Sequence, residues 1–324
     1  MPLMEMTQWH WWFLFFAIIA ALVALDLGLL RYRKQDLRLH EAALGTALRV
    51  GLALLFGLGI HDGWIGGYGT PAVRHEAGAQ FLTAYLVEIA LSVDNVFVFA
   101  LLFRSFHVNP RQQERVLHWG VAGAIVMRAA LIFPGIALVS LFHWITYALA
   151  AIVFYGGIRM MWQSKVESDP AKNRILRFVR RLLPVSEAFH GNRFFTQIHG
   201  RYVATPLLLV LIAVETADLA FATDSIPAVL AVSSDPFIVF TSNIFAILGL
   251  RALYFTLASS LRLLRFLHYG LSAILIFVGV KMLLGGTSLA IDTLQSLVVV
   301  GALLAASIIA SLLFPDRNSK NFDT

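Results

Sequence analysis

Long apolar runs, separated by short clusters of charged and turn-forming residues, organise this 324-residue chain. Nine of them are long enough to cross a hydrocarbon core of about 30 Å, which takes roughly 20 helical residues each. They cover approximately residues 11–30, 42–60, 79–103, 115–140, 144–163, 204–230, 236–258, 266–284 and 290–313. Lipid offers no partner for a bare backbone N–H or C=O, so each run is predicted to be an α-helix. Composition agrees: 59% of residues are hydrophobic, 14% are charged and the mean hydropathy is +0.76, where soluble domains carry about 25% charged residues. The chain reads as an all-α integral membrane protein whose first partner is the lipid bilayer.

Charge sets the orientation. The loops after spans one, three, five and seven and the C-terminal tail hold nineteen of the 25 basic residues, whereas the opposite side holds only Arg74. Five more, Arg49, Arg128, Arg159, Arg251 and Lys281, fall inside spans. Basic loops stay in the cytoplasm, which predicts the N-terminus outside and the C-terminus cytoplasmic. The net charge of +6 is then a topology signal, and no nucleic-acid partner is implied. The first span carries no cleavage pattern and is expected to remain. Asn109-Pro110, Asp169-Pro170 and Asp235-Pro236 predict helix starts, the first residue capping and the proline at the first helical position. Between Ser164 and Tyr202, Arg174, Arg177, Arg180 and Arg181 interleave with apolar residues, a pattern that suits either a linker helix or an amphipathic helix on the inner membrane surface.

A repeat underlies the spans. Tyr147 to Met161 aligns without gaps on Tyr269 to Leu283, and Ala124-Ile125 before Arg128-Ala129 is matched by Ala246-Ile247 before Arg251-Ala252. Spans three to five therefore repeat as six to eight. Three spans per unit force the copies to insert in opposite directions, an inverted-topology repeat of the kind that places substrates near the midplane. The chain divides into two N-terminal helices (1–78), repeat one (79–163), a basic cytoplasmic linker (164–203), repeat two (204–284), and a ninth helix with its tail (285–324).

The third and sixth spans carry acids at one spacing, Glu88 with Asp94-Asn95 and Asp218 with Asp224-Ser225, and Glu215 precedes Asp218 by one turn. A carboxylate at a helix centre in lipid costs roughly 2.5–3.5 kcal/mol on insertion scales, so the matched pairs need a reason. These carboxylates, with Asn95, Ser225 and Asn243, offer hard oxygen donors suited to Mg, Ca or Mn. No His lies in either motif and the chain has no Cys, which removes a thiolate site and thiol redox chemistry. Six residues on a straight helix turn Glu88 and Asp94 about 120° apart, so convergence of all five acids requires distortion or more than one site. Pro227, three residues after Asp224, is expected to kink or break the sixth span. A competing account pairs the acids with intramembrane arginines: Asp26 with Arg49, and Glu88 or Asp218 with Arg128 or Arg251. Five motif acids against two central arginines leave a negative surplus that a divalent cation would balance. No nucleophile stands beside a partnering base, so no enzyme is expected.

The segments Glu88 to Phe103, Val214 to Val232 and Asp235 to Phe255 resemble the TerC family of bacterial integral membrane proteins, its Alx branch in particular. More distantly they resemble the LysE-type exporters. The resemblance implies metal ligands at Glu88, Asp94, Glu215, Asp218 and Asp224, and a role in manganese export or tellurium resistance. The expectation is a secondary transporter that moves Mn(II) as substrate out through the inner (plasma) membrane. Proton coupling is expected as well, since clustered buried acids gain protons when the metal leaves. The alternative is a redox-modulating or tellurium-resistance factor without metal transport. Export of a basic amino acid is a lesser option.

Overall fold

In a computed structural model the chain is described over residues 9–32, 39–142, 144–162, 184–198, 200–257, 266–285, 287 and 289–313. Nine helices lie within them: α1 (Trp9–Tyr32), α2 (Leu39–His61), α3 (Pro71–Ser105), α4 (Pro110–Leu141), α5 (Trp144–Trp162), α6 (Pro206–Leu230), α7 (Pro236–Leu257), α8 (Leu267–Leu284) and α9 (Thr293–Leu313). Eight of these, over their described residues, are long and apolar enough to cross a membrane, and α1 adds a shorter apolar stretch at Trp9–Ala24. Each falls on one of the nine predicted runs.

The largest departures from the predicted limits are at α3 and α4, with 35 and 32 residues. Hydropathy ends a span at its polar turns, but a helix ends where its backbone is capped. Thr70 caps α3 by accepting from the Val73 amide, with Pro71 in the first turn. The polar Arg74-His75-Glu76 turn therefore remains helical. Asn109 and Gln112 form a reciprocal capping box at the start of α4, ahead of Pro110, satisfying amides that have no intrahelical partner. Asp235 caps α7 through the Phe237 and Ile238 amides at 2.8 and 3.3 Å. Its other oxygen accepts from the Tyr68 hydroxyl at 2.9 Å, tying the α2–α3 loop to that helix start. Burial and the Asp235 charge raise the Tyr68 pKa, which keeps it a donor. Asp169-Pro170 and the basic segment to Leu183 lie outside the described residues.

Two expectations change. The sixth span is not broken at Pro227: α6 runs on to Leu230, and Ala231 closes it by donating to the Pro227 carbonyl at 3.0 Å. The proline removes one helical hydrogen bond, the one position 227 would make to the Thr223 carbonyl, without ending the helix. The linker also holds a strand pair, β1 (Phe195–Ile198) antiparallel to β2 (Arg201–Ala204). Gly200, at φ +74°, supplies the left-handed residue the tight connection requires.

Packing sorts the described core into a flank cluster that joins α3 and α6 to α5, α8 and α9 and two apolar layers spaced along α3 and α6. One gathers Phe81 and Tyr85 of α3 with Ile226 and Leu230 of α6, Phe237 and Phe240 of α7, and Phe15 and Phe56 of α1 and α2. The other gathers Phe99 and Phe103 of α3 with Leu207 and Val210 of α6, Val116 of α4 and Tyr254 of α7. The start of α3 meets the end of α6 in the first layer, and the reverse holds in the second. The two motif-bearing helices are thus antiparallel, and their acids fall between the layers. The linker docks on the second layer, where Gln112 Nε2 donates to the Gly191 carbonyl at 2.8 Å and Thr205 Oγ1 to that of Arg193 at 2.6 Å.

On the flank, α5 and α8 meet through two glycines. A Cβ on Gly157 would lie 2.8 Å from the Ile276 nitrogen, and one on Gly279 would lie 2.8 Å from the Phe154 nitrogen. The sequence alignment pairs Phe154 with Ile276 and Gly157 with Gly279, so each segment offers the other the same surface. That reciprocity is the contact pattern of a two-fold pair.

Gly157→Val and Gly279→Val should each lower stability by about 1–3 kcal/mol through overpacking. Gly156→Ala, which meets nothing within 4 Å, should leave the detergent unfolding temperature unchanged. The natural lack of cysteine also permits a topology measurement. With the N-terminus outside, a membrane-impermeant maleimide should label Trp64→Cys in intact cells, and Tyr202→Cys only after permeabilisation. These sites are 73% and 76% exposed.

Candidate functional site

Between the two layers stands one buried guanidinium. Arg128, on α4, is 1% exposed, and its Nη1 donates to three helices: to Glu88 on α3, to Asn243 Oδ1 on α7 at 2.9 Å and to Ser225 Oγ on α6 at 3.2 Å. Nη2 reaches Asp218 Oδ1 on α6 at 3.4 Å. A planar fork of five donors can serve several acceptors at once, which an ammonium group cannot do with the same rigidity. Small residues on α4 and α6, Gly120, Ala124 and Ala222, bring the helices close enough for this reach.

The network is under-filled. Glu88 Oε2, Asp218 Oδ2, Asn243 Nδ2 and Arg128 Nε are all buried with no hydrogen-bond partner among the described residues. Buried charged groups ordinarily fill such positions, because an unmet polar atom in a low dielectric is costly. Two carboxylate oxygens thus stand ready beside a positive charge. Tyr85, three residues before Glu88 and so on its face of the helix, adds a buried hydroxyl without a partner among the described residues.

A small cavity of about 20 Å³, room for a single water-sized sphere, lies against this cluster between the two layers. Phe99, Leu117, Gly120 and Leu250 form apolar walls, and Glu215 and Asp218 supply its charge. Three residues apart on α6, the two acids share a face. Glu215 lies flat on α4, where a Cβ added at Gly123 would come within 2.2 Å of its Oε1. Its Oε2 is buried and also unmet among the described residues. Neither Gly123 nor Tyr85 stands out in the sequence. The available signals were a glycine within reach of an acid across two spans and a tyrosine one turn from Glu88.

Of the predicted site residues, Glu88, Asp218, Ser225 and Asn243 come together around Arg128, while Glu215 stands one turn away in the cavity. Asn95 is buried on α3, seven residues past Glu88, and is not a partner of Arg128. Arg49 donates to the Gly45 carbonyl at 3.0 Å. The side chains of Asp26, Asp94, Asp224 and Arg251 lie outside the described residues, and with them the Asp26–Arg49 pair. Among the described residues no three Asp, Glu or His side chains are grouped to hold a metal; the convergent point is occupied by the guanidinium.

The sequence profile of the "Integral membrane protein TerC family" matches residues 73–319, most of the chain and all of this site. The chain belongs to the TerC family. Among TerC relatives, membrane protein STKORF319 of Myxococcus xanthus is 43% identical over 307 residues, 93% of this chain and 92% of that protein. Alx of Escherichia coli (strain K12), provisionally named a membrane-bound redox modulator, is 43% identical over 275 residues, 84% of this chain and 85% of its own. A thylakoid membrane protein TERC of Arabidopsis thaliana is 40% identical over 289 residues, 89% of this chain and 73% of its own. No solved structure matches the chain. This TerC chain is therefore a multi-pass integral membrane protein.

Removing one partner of the buried network strands the others. Arg128→Met should cost about 3–5 kcal/mol, read as a lower unfolding temperature of the purified protein. The double variant Glu88→Gln/Arg128→Gln should lose clearly less than the sum of its single changes.

Proposed function

We propose that this TerC protein is a secondary transporter of the bacterial inner membrane that exports a divalent cation, most simply Mn(II), by alternating access. One observation carries the reading. Four oxygen-bearing side chains from three helices, Glu88, Asp218, Ser225 and Asn243, surround the Arg128 guanidinium midway between the two core layers. An arrangement selecting a cation at that depth, with unmet carboxylate oxygens beside it, suits an ion pathway better than a scaffold.

The donor set supports the cation class. Carboxylate, amide and hydroxyl oxygens without sulfur or imidazole favour hard ions, and Mn(II) is the one that binds such sites most readily among Mg, Ca and Mn. Glu88 and Asp218 against Arg128 leave an excess of negative charge among the described groups, which a divalent ion would offset. In the proposed cycle that ion reaches the cavity from the face on which the basic linker docks, predicted to be cytoplasmic. Protons returning in exchange complete the proposed cycle. A second reading, a redox modulator, has its support in the name of the E. coli relative. With no cysteine in the chain, such a role would act through something other than thiol exchange.

Inside-out proteoliposomes loaded with a Mn(II)-quenched dye test the proposal. The native protein should quench the dye when Mn(II) is added outside, with proton flux in the opposite direction. Glu215→Gln and Asp218→Asn should fall to the level of empty vesicles while remaining folded. Undiminished quenching in both variants would overturn the proposed route, and quenching without proton flux would overturn the exchange.

A further inference from the structure

We propose that Arg128 is an internal counter-cation, a tethered positive charge that holds the ligand side chains in place and yields them to the arriving metal ion. The inference rests on the transport reading above and assigns a role to a residue that pairing alone would make scaffold. Three features of the geometry point to it.

The first is coincidence of ligand sets. The side chains suited to a hard divalent ion, Glu88, Asp218, Ser225 and Asn243, are the acceptors of the guanidinium. A residue present only to neutralise acids would need the carboxylates. The amide and hydroxyl oxygens fill further N–H donors of the same buried group, so the guanidinium and a hard cation draw on one set of side chains.

The second is under-use. Among the described residues Arg128 Nε donates to nothing, and Glu88 and Asp218 each keep one buried oxygen without a partner. A saturated ion-pair network gains its stability by filling such positions. One that leaves donors and acceptors open can change partners without breaking many bonds.

The third is direction. The cavity is lined by Glu215 and Asp218, and neither Arg128 nor Glu88 belongs to its wall. An ion entering there meets Glu215 and then Asp218, whose contact with Nη2 is the longest of the four at 3.4 Å. Exchange begins at Asp218, with Glu88, Asn243 and Ser225 still on Nη1. The retained guanidinium then repels the bound ion. Affinity is held down, and the ion can leave on the other side.

This account makes opposite predictions for binding and transport, which a scaffold role does not. Calorimetric titration of Mn(II) into the purified full-length protein comes first. Failure of the native protein to bind Mn(II) would refute the metal-transport reading itself. Given native binding, Arg128→Gln should bind Mn(II) roughly tenfold or more tightly, because a nearby like charge has been removed. Mn(II) should raise its unfolding temperature by more than it raises the native one. Its efflux at saturating Mn(II) should nevertheless fall, the ion being held too firmly. Folded Arg128→Gln with equal or weaker affinity would overturn the counter-cation role and leave the transport reading intact. Should that variant fail to fold, Glu88→Gln and Glu88→Gln/Arg128→Gln decide. The double variant should bind more tightly than Glu88→Gln alone, and equal or weaker binding would overturn the role.

Discussion

Charge buried where water is absent is the constraint on which the rest of this structure depends. Glu88 and Asp218 sit at 1% and 3% exposure midway along antiparallel helices, and neither could remain ionised there without compensation. Arg128 provides it, at the cost of being buried as well. The helices must approach closely enough for one guanidinium to touch α3, α6 and α7 at once, which makes small residues on α4 obligatory. Gly120, Gly123 and Ala124 are therefore as much part of the site as the charges they flank.

The apolar layers on either side complete this arrangement in different ways. The first is dense with aromatic rings: Phe15, Phe56, Phe81, Phe237, Phe240 and Phe245 meet in tilted and edge-on pairs with centroids 4.9–6.4 Å apart. Edge-on packing of rings leaves little free space, and the Tyr68–Asp235 hydrogen bond closes the loop over it. The small cavity beside Glu215 and Asp218 lies where the two layers meet, walled by Phe99 and Leu117 of the second and by Ala124 and Ile247 of the first.

Much of this was legible in the residues. Nine apolar runs and the caps at Asn109 and Asp235 follow from local chemistry, and each has its counterpart among the described residues; of the motif acids, Glu88, Glu215 and Asp218 are described there as buried or half-buried. Other features needed contacts across the fold. Pro227 reads locally as a kink or a break, and α6 runs through it to Leu230. The polar turn Arg74-His75-Glu76 reads as loop on hydropathy, yet the Thr70 cap keeps it helical. The strand pair at 195–204 is too short and too polar to stand out from a linker.

By itself the sequence determined that this chain spans a membrane, about how many times, and that it carries acids which lipid would not tolerate without a purpose. Backbone hydrogen bonding and the cost of charge in hydrocarbon act on each segment alone, so local pattern is enough to read them. Only the tertiary structure decided which of those acids meet and what lies between them. Closure of four helices on Arg128 brought Glu88 and Asp218 together, placed Glu215 one turn away beside the cavity, and drew in Ser225 and Asn243. Convergence of that kind depends on interhelical distance set by glycine and alanine contacts, a property that no single segment contains.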